Sequence, residues 1–119
     1  MEYRMNRRTG DQISVLGLGT SSIASAGERE GVETLRLAFE QGTNYFDLAT
    51  AESENFPTFG KAFSHFRDKV FYQIHFGAVY GPGRSYSWTT DLKPAQRSVA
   101  WQRKGLDTEY IDYGFIQCL

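Results

Sequence analysis

The run Gly42-Thr43-Asn44-Tyr45-Phe46-Asp47-Leu48-Ala49-Thr50-Ala51 decides the reading of this chain. Residues 28–41 precede it, with Val32, Leu35, Ala38 and Phe39 at helical spacing, and Gly42 is a good helix stop. Residues 44–49 then read as a strand. Their apolar character is nearly continuous, as expected for a parallel strand covered on both sides. The strand ends near one carboxylate, Asp47. In alternating strand–helix folds the strand ends are where side chains meet substrate. The run therefore offers both an architecture and a candidate reactive residue.

Upstream, residues 2–5 and 12–15 are short extended segments around Gly10, which predicts a hairpin. Residues 13–19 continue as an apolar strand punctuated by glycine, and residues 20–27 are a small-residue loop. Downstream, the pattern predicts a helix from Pro57 to about Phe66 and a strand over residues 69–76. A long loop over residues 77–90, a helix over residues 92–104 and a last strand over residues 110–118 follow. The order is a hairpin, then strand–helix three times, then a strand. Repeated βα units imply a parallel sheet. We expect an α/β fold in one domain spanning residues 1–119, for which two completions are open, the N-terminal half of a (β/α)₈ barrel and a small open sheet. The hairpin would plug the bottom of the barrel, whereas the open sheet would leave the last strand as a bare edge.

Composition bounds the function. Thirteen basic and 14 acidic side chains give a net charge of −1, which supplies no positive field for nucleic acid. Hydrophobic residues make up 40% of the 119 and aromatic ones 15%, enough to build a core rather than a disordered chain. Cys118 is the single cysteine, so no internal disulfide forms and no zinc-ligand pattern exists. No apolar run spans a bilayer and the N-terminus lacks a signal-peptide core. A soluble, cytoplasmic protein without nucleic-acid or membrane partners is expected.

Five segments carry a resemblance: Val15-Leu16-Gly17-Leu18-Gly19-Thr20, Gly42-Thr43-Asn44-Tyr45-Phe46-Asp47, Phe59-Gly60-Lys61-Ala62, Asp68-Lys69-Val70 and Tyr110-Ile111-Asp112. Their order and spacing resemble the N-terminal half of the aldo/keto reductases. The wording is similar to a divergent branch whose longer members carry a ferredoxin-like C-terminal module. The resemblance implies a (β/α)₈ barrel that interconverts carbonyls and alcohols with NADP or NAD. It also implies four catalytic positions, namely an Asp, a Tyr acid, a Lys and a His. Asp47 matches the first, Glu52 stands at the Tyr position, His75 at the Lys position and Gln117 at the His position. Gly19, Thr20 and Ser21 fall at the nicotinamide end of the cofactor. The implied partners are a small carbonyl substrate and either a second copy or the missing C-terminal half.

Chemistry gives these departures a possible logic. Reducing a carbonyl leaves an oxyanion that must be protonated. His75 is suited to that task near neutral pH, Glu52 and His75 can share a proton, and the Gln117 amide can polarise a carbonyl. Each residue also has a structural alternative. Asp47 can cap a loop, Glu52 can be a solvated loop residue, His75 a satisfied core histidine and Gln117 an interior hydrogen-bonder. Gly17 and Gly19 lack the third glycine and immediate helix of a dinucleotide fingerprint. Residues 81–88 offer aromatic faces and Arg84, either to stack on a flat ligand or as a lid without one. A non-catalytic half-barrel or interaction module is the alternative to an enzyme.

Overall fold

The helical stripe before Gly42 is realised in a computed structural model, which describes residues 1–116, as α1 (Glu28–Glu40). Leu35 on that stripe is fully buried, and Val32 and Phe39 pack against the same core. The helix closes on Gly42, which adopts φ +96°. The Gly42 N–H donates to the Phe39 carbonyl at 2.8 Å and the Thr43 N–H to the Ala38 carbonyl at 3.0 Å. This paired closure satisfies carbonyls that the helix itself leaves open, and its left-handed position suits glycine.

The strands that follow are short. The leading hairpin pairs β1 (Tyr3–Met5) antiparallel with β2 (Gln12–Ser14), and Gly10 turns it with φ +83°. A parallel sheet is built from β3 (Leu18–Gly19), β4 (Tyr45–Asp47), β5 (Phe71–Phe76) and, last in the chain, Tyr113–Ile116. Between them lie α2 (Asn55–Phe63), which runs into a 3₁₀ turn at Ser64–Lys69, and α3 (Leu92–Gly105).

Two expectations are corrected here. Residues 13–19 do not form one strand. Ser14 turns the chain, because its hydroxyl donates to the Leu16 carbonyl at 2.8 Å, so β2 stays with the hairpin and β3 joins the sheet. The long segment 77–90 is not a plain loop. It holds an antiparallel hairpin of β6 (Ala78–Tyr80) and β7 (Tyr86–Trp88), so Tyr113–Ile116 is numbered β8. Alternation over three residues per strand is too short a signal to separate such a hairpin from a glycine-rich loop.

The parallel sheet has two distinct faces. Phe46, Leu48, Tyr72 and Ile74 point to the helices and are fully buried with Phe56, Phe59 and Phe63 of α2. Each such side chain contributes roughly 1.5–3 kcal/mol on leaving water. The rings interlock edge to face, Phe46 with Phe59 at 5.7 Å and Phe59 with Tyr72 at 5.9 Å between centroids. The other face carries Tyr45, Asp47, Gln73, His75, Tyr113 and Phe115, which the register places side by side. In a closed cylinder this second face is the interior.

The leading hairpin sits at the N-terminal ends of these strands. Asn44, just before β4, accepts from the Ser14 N–H at 2.9 Å and donates to the Gln12 carbonyl at 2.9 Å. The Tyr113 hydroxyl donates to Asp11 at 2.6 Å. Hydrogen bonds from Thr9 and Tyr113 hold the Asp11 carboxyl below its ordinary range. That latch is therefore complete above the ordinary carboxylate range and is lost as pH falls through the depressed value.

α2 meets α3 through two glycines. A Cβ on Gly60 would lie 2.8 Å from the Gly105 carbonyl oxygen, and one on Gly105 would lie 2.8 Å from Phe56 Cβ. Gly60→Ala is expected to push the helices apart and cost roughly 1–3 kcal/mol, in spite of alanine's better helix propensity. A shift in the urea midpoint at unchanged slope measures it, and a stabilised variant would refute the close approach.

Candidate functional site

The parallel strands end together. Gly19 closes β3, Asp47 closes β4, and His75 lies one residue before the end of β5. Register sets Gly19 beside Asp47, Asp47 beside Gln73, and His75 beside Phe115. Loops 20–27 and 48–54 and the β6–β7 hairpin leave from this end. It is the C-terminal mouth of the sheet, where βα folds collect functional side chains.

Side-chain alternation makes the inner face of the mouth polar. His75 Nε2 lies 3.2 Å from Asp47 Oδ1. Gln73 Nε2 donates to the same oxygen at 2.9 Å and lies 3.2 Å from His75 Nε2. The Ala49 N–H donates to it at 3.0 Å, so Asp47 also caps its own loop. Behind them the Tyr45 hydroxyl donates to Gln73 Oε1. Burial first, then the negative charge of Asp47 and the proximity of Tyr113, push the Tyr45 hydroxyl above its ordinary range. Tyr45 therefore remains a donor at working pH.

His75 is shielded, with 13% of its side chain exposed, while Asp47 keeps 39%. Aromatic rings stand against the imidazole. Trp88 of β7 lies 6.2 Å away and Phe115 of β8 5.9 Å away, the latter edge to face. The β6–β7 hairpin is fastened so that Trp88 stays there. The Tyr80 hydroxyl donates to the Thr50 carbonyl at 2.6 Å, the Tyr80 ring stacks on Trp101 at 5.1 Å, and Arg84 meets Glu54 at 2.5 Å. A hairpin tied at three points is a wall rather than a free lid.

The remaining candidates are placed differently. Glu52 lies on the 48–54 loop, where the Asn55 amide donates to its carboxylate at 3.4 Å. The structure thus sets His75 against Asp47 and gives Glu52 to Asn55. Gly19 and Ser21 are open, whereas Thr20 between them is 1% exposed. The Thr20 hydroxyl has no hydrogen-bond partner among the described residues. Gln117 lies outside the described residues.

Sequence reasoning missed Tyr45 and Gln73. Each stands two residues before a residue it did name, Asp47 and His75, and a strand repeats its face every two residues. Arg67 was also missed. Its guanidinium meets Asp112 at 2.6 Å at the N-terminal end of the sheet, opposite the mouth.

A nicotinamide dinucleotide needs cations or free helix-terminal N–H groups for its diphosphate. At this mouth the Arg84 guanidinium is tied to Glu54, and the inner face carries a carboxylate. The described residues therefore do not fit the diphosphate half of such a cofactor. What they provide is an imidazole held by a carboxylate between aromatic walls, an arrangement that can pass a proton to or from an oxygen.

No family model matches the chain, and no curated protein matches it in sequence. Solved structures do. A protein described as an aldo-keto reductase from Pseudomonas aeruginosa is 26% identical, with a TM-score of 0.81 over 96% of this chain and 46% of its own. The holo form of an aldo-keto reductase from Bacillus halodurans is 22% identical, with a TM-score of 0.82 over 98% of this chain and 40% of its own. A glycerol dehydrogenase from Gluconobacter oxydans is 19% identical, with a TM-score of 0.73 over 96% of this chain and 38% of its own. The chain spans less than half the length of these structures.

Proposed function

We propose that this chain, whose fold matches part of the aldo-keto reductase barrel, is the N-terminal half of an oxidoreductase site that interconverts a small carbonyl and its alcohol. The observation that carries the reading is the Asp47–His75 contact at the C-terminal mouth of four parallel strands. Carbonyl reduction delivers one proton to oxygen, and the imidazolium of His75 is the group at the mouth suited to supply it. Asp47 orients that ring and balances its charge. Trp88 and Phe115 bound the space in front of it. In this reading NADP or NAD supplies the reducing equivalent, held mainly by residues outside this chain. Gly19 and Ser21 lie at the nicotinamide end, in a cytoplasmic setting.

Completion of the cylinder is part of the proposal. Among the described residues β3 and β8 are both edges of the parallel sheet. An apolar groove of about 560 Å³ runs between α3 and β8, lined by Phe76, Leu92, Val99 and Ile116. A C-terminal half, or a second copy contributing four more strands, would cover both features. The alternative, a non-catalytic interaction module, draws support from Glu52, which stands at the acid position yet is held by Asn55.

Titration of NADPH followed by nicotinamide fluorescence, beside sedimentation of the same sample, tests the reading. Saturation at one cofactor per completed cylinder is expected when an added C-terminal half of the Pseudomonas protein completes it, whereas a second copy of this chain repeats the same described residues and is expected to leave the fluorescence unchanged. A folded cylinder completed by the Pseudomonas half that leaves both NADPH and NADH fluorescence unchanged would overturn the oxidoreductase reading.

A further inference from the structure

We propose that Gln73 is a positioning residue that keeps the His75 ring proton transferable by competing with it for a single oxygen of Asp47. The inference rests on the reading of this mouth as a proton-transfer site, but its test needs no cofactor and no turnover. Three nitrogens converge on Asp47 Oδ1, namely Gln73 Nε2 at 2.9 Å, Ala49 N at 3.0 Å and His75 Nε2 at 3.2 Å, and all three are donors when the imidazole carries its proton on Nε2. Two of them are amide N–H groups, which are too weakly acidic to protonate a ligand at working pH. A carboxylate oxygen has about two lone-pair sites, so three donors cannot all be well served. His75 stands furthest away and is the only one of the three able to act as a general acid.

The orientation of Gln73 is not free. Its Nε2 must face Asp47, because an ionised carboxylate only accepts. Its Oε1 is held from behind by the Tyr45 hydroxyl, and at 2% exposure the side chain cannot swing into water. The rings of Tyr113 and Phe71 in turn brace this inner layer, with Tyr45–Tyr113 centroids at 5.8 Å and Phe71–Tyr113 at 6.1 Å. Tyr45 and Gln73 thus form a fixed relay whose output is the share of Asp47 left for His75.

The proton balance is simple. The imidazolium of His75 breaks its Nε2–H bond, the proton goes to the ligand oxygen, and the electron pair stays on the ring. The ring is left neutral with its proton on Nδ1, and Asp47 stays a carboxylate throughout. A tight Asp47–His75 hydrogen bond would oppose that departure. The amides of Gln73 and Ala49 loosen it.

Proton and nitrogen NMR of the labelled chain at one fixed pH reads this directly. In Gln73→Leu the His75 Nε2–H signal is expected to move downfield, as Asp47 takes the imidazole more closely. Its exchange with water is expected to slow by roughly three- to tenfold, the scale of one net hydrogen bond. Tyr45→Phe should move both readouts in the same direction by less, because the amide remains but loses its anchor. A Gln73→Leu variant that keeps the backbone amide spectrum of the sheet and leaves the His75 proton unchanged would sink the proposal. Where Gln73→Leu fails to fold, Tyr45→Phe decides, and an unmoved His75 signal there is equally fatal. Failure of NADPH binding would leave these signals untouched, so the two readings fail separately.

Discussion

Arg67→Met should lower stability by about 3–5 kcal/mol, the largest loss expected from a single substitution in this chain. Arg67 is 8% exposed and uses its whole fork. Nη2 meets Asp112 Oδ2 at 2.6 Å and the Tyr110 carbonyl at 3.1 Å, Nη1 donates to the Val70 carbonyl at 2.8 Å, and Nε donates to Thr108 at 2.9 Å. The guanidinium carbon lies 4.2 Å from the Tyr72 ring centroid and 4.1 Å from that of Tyr110. Asp112 Oδ2 also accepts the Tyr72 N–H at 2.8 Å. One ion pair therefore stitches the start of β5 to the chain that enters β8. Methionine keeps much of the apolar stem but leaves a shielded carboxylate without its charge partner. Arg67→Lys restores the charge without the planar fork and should fall between wild type and Arg67→Met. Urea unfolding with a constant slope provides the measurement. A Met variant within about 1 kcal/mol of wild type, the range of an exposed pair, would show that the clamp is ornamental.

His75→Phe carries the largest expected effect on activity. In the completed barrel it should reduce carbonyl turnover by about 10²–10⁴-fold, the usual worth of a positioned acid or base. Phenylalanine preserves the ring contacts toward Trp88 and Phe115, so the loss isolates Nε2 rather than packing. Asp47→Asn should also impair turnover, since the amide retains the loop cap at Ala49 but not the charge that balances an imidazolium. Glu52→Gln should matter much less, because the Glu52 carboxylate accepts from Asn55 and a glutamine Oε1 can accept the same hydrogen bond. Steady-state rates with a small aldehyde and NADPH, taken on variants with unchanged circular dichroism, make the comparison. Full turnover by His75→Phe would remove His75 from the chemistry.

Much of the scaffold is legible in the amino-acid sequence. The Gly42 stop, the stripe of Leu35 and Phe39, and the apolar run around Phe46 are local patterns tied to local hydrogen bonding and burial. The β6–β7 hairpin was not legible. Its strands are three residues each, and what holds Tyr80 and Arg84 in place is contact with Thr50 and Glu54, 30 residues away in each case. The same holds for the site. Asp47 could be named from its strand end and His75 from the resemblance, but their meeting depends on parallel register across 28 residues of chain.

By itself the sequence determined the alternation of strands and helices, the glycine closure at Gly42 and the apolar stripe of the first helix, because each arises from interactions within a few residues. Only the tertiary structure decided that Tyr45, Gln73, Asp47 and His75 form one network and that Arg67 clamps Asp112. Those groups are far apart along the chain, and no local propensity encodes which donor reaches which oxygen. Strand register and burial do.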